Sequence, residues 1–409
     1  MAGVRAGIRA RAAQAGCLVL HRRRVLLRQP VLDGICVAVL RIFRAAGDVC
    51  VFVGADARRP GASRRGGGGS FMKILVVTNM YLGSNRANPW QGVFVTEQVD
   101  ALRRSGGCTV DVLVIDGHRD KREYLRSIWQ VWKTARAGRY DVVHYHFGLS
   151  ACSAPLVRLL TKARIVITFH GTDILGPLWM RAVSKSMACF AHACIGVSAE
   201  ISARLIRLRC RCATIPCAVN ETVFAEDRDD ALVKSAVPIV VFPSSPKRPE
   251  KNYPLFSQVL RQLAEQHGIR VQERHIDGLD RGEVRDLLAH AACLLMTSTR
   301  EGSPQSVKEA MALDLPVVSV DVGNVRQLLD GVSPGMVVFD HDAGRLTNEL
   351  ADVLKAGARS NGREKLAALG YFSADVSAKL KALYALLHGS SRFANDIPDA
   401  EKNDSEALQ

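Results

Sequence analysis

KILVVTNMYLGSNRANPWQGVFVTEQVDALRRSGGCTVDVLVID, residues 73–116, decides the fold. KILVVT (73–78) is a short, continuous apolar run rich in β-branched residues, the pattern of a strand buried on both faces. FVTEQVDALRRSG (94–106) spaces its apolar residues at helical intervals, and TVDVLVID (109–116) is a second buried-strand run. Strand, helix and strand in that order form a parallel crossover unit. DVVHYH (141–146), ARIVITFH (163–170) and CIGVS (194–198) repeat the strand pattern. These residues predict a parallel sheet covered by helices.

A second series starts at PIVVFPS, 238–244. It continues through a helix near 254–267, ACLLMTS (292–298), a helix over 304–312, LPVVSVD (315–321) and GMVVFD (335–340). Residues 343–357 and 376–388 read as amphipathic helices. The boundary between the series is expected in 225–237, which holds the charged stretch EDRDD. The predicted organisation is α/β: a Rossmann-like half over 72–230, another over 231–370, and a helix over 371–388 packing back toward the first. A tail over 389–409 lacks periodicity and is expected to be disordered. Two such halves imply a cleft.

The 409-residue length suits two domains better than one core, and a 48% apolar fraction is ample for folding. The formal charge of +15 is uneven: residues 1–71 hold thirteen Arg, three Asp and no Lys or Glu, a net +10, leaving only +5 beyond them. That distribution, without aromatic-basic interleaving or zinc-finger spacing, argues against a nucleic-acid partner. RRGGGGS (64–70) closes the arginine-rich segment, and Met72-Lys73 before ILVVT reads as the natural opening strand, with 1–71 an upstream extension or a mistranslated leader. The same segment also suits an accessory hairpin or helix on the stretches 17–28 and 31–43, or a targeting or surface-binding role. Eleven scattered cysteines without paired CxxC elements suit a reduced, cytoplasmic protein and predict neither a disulfide framework nor structural zinc. VLDGICVAVLRIF (31–43) is broken by Asp33 and Arg41 and is too short to span a bilayer.

EGSPQSVKEAMA, 301–312, sets one glutamate in a turn and a second eight positions later inside a helix. Ser303 is expected to cap that helix, with Pro304 in its first turn, so that backbone N–H groups face Glu301 and Gly302. Carboxylates from a loop and a helix suit an elongated, hydroxyl-rich ligand, because each can accept from paired hydroxyls. A capped surface helix with two solvated glutamates would read the same way.

With this spacing the chain resembles the retaining glycosyltransferases of family 4, two-domain enzymes of GT-B architecture. E301-GSPQSVK-E309 matches the family's glutamate pair, seven residues intervening. The resemblance implies that Glu309 binds the donor nucleotide's ribose, that Glu301 contacts the donor sugar, and that Ser306 and the amides around Gly302, Ser303 and Pro304 meet diphosphate oxygens. SSPKRPEKN (244–252) looks like the family's basic loop, with Lys251 on the family lysine. Pro246 stands where the family arginine is common, so Arg248 is the nearest substitute. These cations would stabilise the departing diphosphate without a divalent metal. GNVRQLL (323–329) resembles the second sugar-nucleotide loop, with Gln327 at a usually acidic position.

In the first half, Gly92 ends the loop after the first strand and would let backbone approach donor phosphates or acceptor. HGTD (170–173) resembles the family's acceptor-side motif, placing His170 at the transferred sugar and giving Asp173 a structural or acceptor-orienting role. His146 either lines the same cleft or satisfies a core hydrogen bond. His144, His146, His170 and Asp173 lack metal-ligand spacing, and no metal site is expected. Cys217-Ala218 replaces the family's usual Asn-Gly, implying a changed turn. The implied activity is transfer of a sugar from a uridine or guanosine diphospho-sugar to a hydroxyl acceptor. A lipid-linked saccharide is one such acceptor, and LRSIWQVWKTARAGR (125–139) offers a basic-aromatic face toward the inner side of a membrane. A GT-B epimerase or phosphorylase, and a degenerate nucleotide-sugar-binding protein, are the competing readings.

Overall fold

Alternation of the buried residues explains the first sheet. In the strand Met72–Thr78, Ile74 and Val76 join one hydrophobic core while Leu75 and Val77 join another on the opposite face. A strand buried on both sides cannot carry polar alternation, which is why the sequence run is continuous. The computed structural model describes residues 52–53, 71–85, 89–117, 119–206, 210–225 and 237–389. All of them fall within one compact unit, Val49–Gln409.

Among the described residues the first sheet has strands β1 (Phe52–Val53), β2 (Met72–Thr78), β3 (Cys108–Val114), β4 (Val142–His146), β5 (Arg164–Phe169), β6 (Ala193–Gly196) and β7 (Arg211–Thr214). Their order is β1-β3-β2-β4-β5-β6-β7, parallel throughout except for the antiparallel edge strand β1. The second sheet comprises β8 (Ile239–Phe242), β9 (Gln272–His275), β10 (Cys293–Met296), β11 (Val317–Val320) and β12 (Met336–Val338). Its order is β12-β11-β10-β8-β9, all parallel. The expected α/β architecture of two Rossmann-like sheets is therefore present.

The two halves exchange chain at each end. Ile215 and Ala218 pack in a core of the first sheet, while Val219 and Phe224 pack in that of the second. The handover therefore falls between Ala218 and Val219, ahead of the 225–237 segment in which the sequence places it; most of that segment lies outside the described residues. The chain returns through the helix Ser373–His388, whose Val376, Leu380 and Tyr384 join the first sheet's core beside Val95, Val99 and Leu102 of the helix Val93–Arg104. Tyr384 Oη lies 2.6 Å from Nδ1 of buried His144. The expectations for residues 1–70 and for the tail after Gly389 lie outside the described residues, apart from the Phe52–Val53 strand.

Candidate active site

In the second sheet the chain places β9 on one side of β8 and β10 on the other, so its crossovers diverge between β8 and β10. The crevice beyond the carboxyl ends of such strands is the usual ligand position in an open α/β sheet. The loop after β8 brings Lys251, in the short 3₁₀ turn Pro249–Lys251, and the loop after β10 brings Glu301. Thr297 Oγ1 donates to the carbonyls of Lys251 and Asn252, both at 3.1 Å, and Thr299 N donates to the Glu250 carbonyl at 2.8 Å. These bonds knit the two loops together. Lys251 Nζ then meets Glu301 Oε1 at 2.5 Å, with the lysine only 8% exposed.

Arg248 is not brought to this pair. Its side chain is 55% exposed and donates from Nε and Nη2 to Glu250 Oε1 at 2.9 and 2.6 Å.

The helix after Glu301 spans Gln305–Ala312, with Pro304 at its N-cap position at an extended ψ of 117° and no side-chain cap. Ser303 thus stands one residue too early to cap, correcting the sequence expectation. Its Oγ and Gln305 Oε1 are buried and lack a hydrogen-bond partner among the described residues. Ser306 lies in the first turn, partly exposed. The same helix grips the altered crossover: Gln305 Nε2 donates to Ala218 O, and Lys308 Nζ to Cys217 O, each at 2.7 Å. Glu309 Oε1 accepts from Arg281 Nη1 at 2.7 Å.

Across the cleft, Gly92 precedes the helix Val93–Arg104 at φ 84°, where a Cβ would sit 2.2 Å from the Met80 carbonyl carbon. Only glycine allows this left-handed turn to lie against the backbone after β2. His146 ends β4, with Nδ1 3.1 Å from His170 Nε2 and Nε2 3.3 Å from Gln98 Nε2. His170 Nδ1 lies 3.6 Å from Cys217 Sγ. Asp173 is fully buried and accepts from the backbone N–H groups of Gly171 (2.9 Å), His170 (3.1 Å) and Gly148 (3.2 Å). It shapes the HGTD turn.

That turn meets the glutamate motif directly. A Cβ on Gly302 would lie 2.8 Å from the His170 carbonyl oxygen. His170, Gly302, Glu301 and Lys251 are thereby gathered at one place, with Glu309 about one turn into the helix that follows.

Burial sets the protonation states. It lowers His144 to about 3, with the charge of His170 acting in the same direction. It lowers His170 to about 3, reinforced by Lys308, and His146 well below its ordinary value, reinforced by His144 and His170. Near neutrality these rings are uncharged hydrogen-bonding groups. Burial pushes Asp173 up to about 6 against its backbone N–H donors, and pushes Glu97 up to about 6 against the pull of Arg281.

Arg281, Glu97 and Lys308 escaped the sequence reading. Lys308 had a signal, since the apolar Met311 and Ala312 stand three and four positions on, on the same helix face. Arg281 follows Asp280, which forms a capping box with Glu283 and so marks a helix start. No local signal names the partners of Arg281.

Two α/β sheets in succession, with the HGTD turn after β5 of the first against the Gly302 turn after β10 of the second, make up the GT-B architecture. The chain belongs to the group 1 glycosyltransferases of this fold: the Glycosyltransferase Family 4 model matches residues 87–223 and the Glycosyl transferases group 1 model residues 256–371. No curated protein matches the chain in sequence. Among solved structures, it is similar to sucrose-phosphate synthase from Thermosynechococcus elongatus at 16% identity and a TM-score of 0.65, covering 78% of this chain and 99% of that one. Anabaena HepE in complex with UDP-glucose is similar at 15% identity and a TM-score of 0.58, covering 77% and 100%. A putative UDP-N-acetylglucosamine 2-epimerase from Listeria monocytogenes shares the fold at 12% identity and a TM-score of 0.54, covering 79% and 98%.

Proposed function

We propose that the protein transfers a hexose from a nucleotide diphospho-sugar to a hydroxyl acceptor with retention of anomeric configuration. The observation that carries this reading is the buried Lys251–Glu301 pair at the strand ends of the second sheet, against the His170-Gly171 turn of the first. The anomeric carbon–phosphate oxygen bond breaks and the nucleoside diphosphate leaves. Lys251 and the amides at the start of the 305–312 helix stabilise the gathering charge. The acceptor oxygen attacks from the face the phosphate vacates, and its proton passes to a leaving phosphate oxygen. Glu301 and His170 hold the sugar, Glu309 holds the ribose, and Asp173 and His146 support the acceptor side. Gly92 lets the loop after β2 approach the cleft.

The UDP-glucose bound to the Anabaena relative supports a uridine nucleotide, with guanosine the alternative. A lipid-linked saccharide is the proposed acceptor, in surface polysaccharide or glycolipid synthesis at the inner face of a membrane. Among the described residues no helix is long and apolar enough to cross one. Leu125, Trp129, Leu178 and Trp179 are nonetheless exposed on helices Glu123–Gly138 and Leu178–Ala188, with Lys133 Nζ 5.4 Å from the Trp129 ring centroid. Apolar side chains interleaved with cations suit an anionic lipid surface.

The test incubates the full chain with UDP- and GDP-sugars and lipid-linked or free saccharide acceptors, following both products by mass spectrometry with E301Q and E309A as controls. Acceptor-dependent, glutamate-dependent release of one nucleoside diphosphate with an α-linked product from an α-linked donor is expected. An inverted product removes the retaining mechanism; a 2-epimer without acceptor, or sugar phosphate formed from inorganic phosphate, replaces the transferase reading. Binding without turnover of any donor makes the protein a degenerate binder.

A further inference from the structure

Arg281 is the first residue of the helix Arg281–His290, held in place by the Asp280–Glu283 capping box. It belongs to the second half, yet its guanidinium reaches both sides of the cleft. Nη1 donates to Glu309 Oε1 at 2.7 Å; Nε and Nη2 donate to Glu97 Oε1 and Oε2 at 3.0 and 3.3 Å. Glu97 stands on the helix that Gly92 opens in the first half, and the Arg281 Cζ lies 4.7 Å from the Phe224 ring centroid. Next to it, Trp90 Nε1 donates to Gly278 O at 3.3 Å, a second bond between the two halves, made by the segments that lead into these two helices.

We propose that Arg281 is a positioning residue that aims Glu309 at the donor's ribose and ties that aim to the first half through Glu97. This rests on the reading that Glu309 takes the ribose. An ionised carboxylate has about four acceptor sites. The single bond from Arg281 therefore fixes one oxygen of Glu309 and leaves capacity for ribose hydroxyls. A planar fork is needed to serve Glu97 and Glu309 together, which the point charge of a lysine does not supply. The Arg281 and Glu309 side chains are only 18% and 5% exposed, so little water competes for the arrangement.

The readout is discrimination between ribose and deoxyribose, which a merely structural role would not move. Calorimetry on the full chain compares UDP and GDP with their 2′-deoxy and 3′-deoxy counterparts. A hydrogen bond from a hydroxyl to a charged group is worth ~10- to 100-fold in affinity. Wild type is expected to prefer the ribonucleotide by a factor in that range. R281M and R281K should reduce the preference to within ~3-fold, and R281M added to E309Q should lower it no further than E309Q alone. R281M with the wild-type preference overturns the proposal. Should the Arg281 variants fail to fold by circular dichroism, E97Q decides: it leaves Arg281 and Glu309 in place, and an unchanged preference likewise overturns the link. Wild type binding a ribonucleotide with no preference over either deoxy form removes the Glu309–ribose reading itself, a result separable from loss of the Arg281 effect alone. Wild type binding neither nucleotide removes both.

Discussion

At the scale of single residues, Lys251 and Arg248 look alike in sequence, two cations three positions apart, and the fold separates them. Lys251 turns inward because its 3₁₀ turn is bonded through Thr297 to the strand that leads to Glu301. Arg248 turns outward onto Glu250. Replacing Lys251 with Met should lower kcat/KM by ~100- to 1,000-fold, as loss of one preorganised charge-stabilising group does. It should also cost up to about 3 kcal/mol of stability, because Glu301 is left without its partner. Arg248→Ala should stay within about 3-fold of wild type, since an exposed ion pair contributes little. Steady-state kinetics and urea unfolding of the two variants check both expectations.

At the scale of elements, two turns rest on missing side chains. Gly92→Ala forces a Cβ into the backbone after β2 at a positive φ, and should destabilise the protein by more than about 1 kcal/mol in urea unfolding. Gly302→Ala presses instead on the His170 carbonyl across the cleft, at 2.8 Å. Its contact is between the halves, so transfer should fall by at least ~10-fold, the size expected when reacting groups are displaced, while the unfolding midpoint moves little. A Gly302→Ala protein with full activity would mean that the two turns part during turnover. The strand β9, Gln272–His275, was not legible because QERH at a sheet edge has neither an apolar run nor alternation. The helix over 305–312 was legible almost to the residue. Only its cap was displaced, because Pro304 took an extended ψ.

At the scale of the whole molecule, the C-terminal helix Ser373–His388 completes the core of the first sheet, and Tyr384 supplies a partner for buried His144. Tyr384→Phe should cost about 1–3 kcal/mol, because a buried ring nitrogen loses its hydrogen bond. Burial also makes stability depend on pH. His144 falls from its ordinary 6.5 to about 3, so the unfolded chain binds more protons than the fold between those values. Its stabilising contribution is complete above about pH 6.5 and is lost as pH falls toward 3, reaching about 3 kcal/mol by pH 4. His146 acts in the same direction. Asp173 and Glu97, raised to about 6, act oppositely: their contributions are present at low pH and lost as pH rises from about 4 to 6. The carboxyls therefore offset the histidines between pH 4 and 6 and no longer do so below. Urea midpoints measured from pH 3 to 8 should fall most steeply below pH 4, and His146→Gln should flatten that fall.

The sequence by itself determined two α/β series and the positions of the buried strands, and its motifs singled out the glutamate pair at 301 and 309, the basic loop 244–252 and the HGTD turn. Each is written locally, in apolar runs, helical spacing or a compact motif whose residues lie close along the chain. Only the tertiary structure decided which cation meets Glu301, where the chain passes between halves, and what Glu309 touches. Arg281 is 28 residues from Glu309 and 184 from Glu97. Such contacts follow from how the two sheets face one another, and no local spacing encodes them.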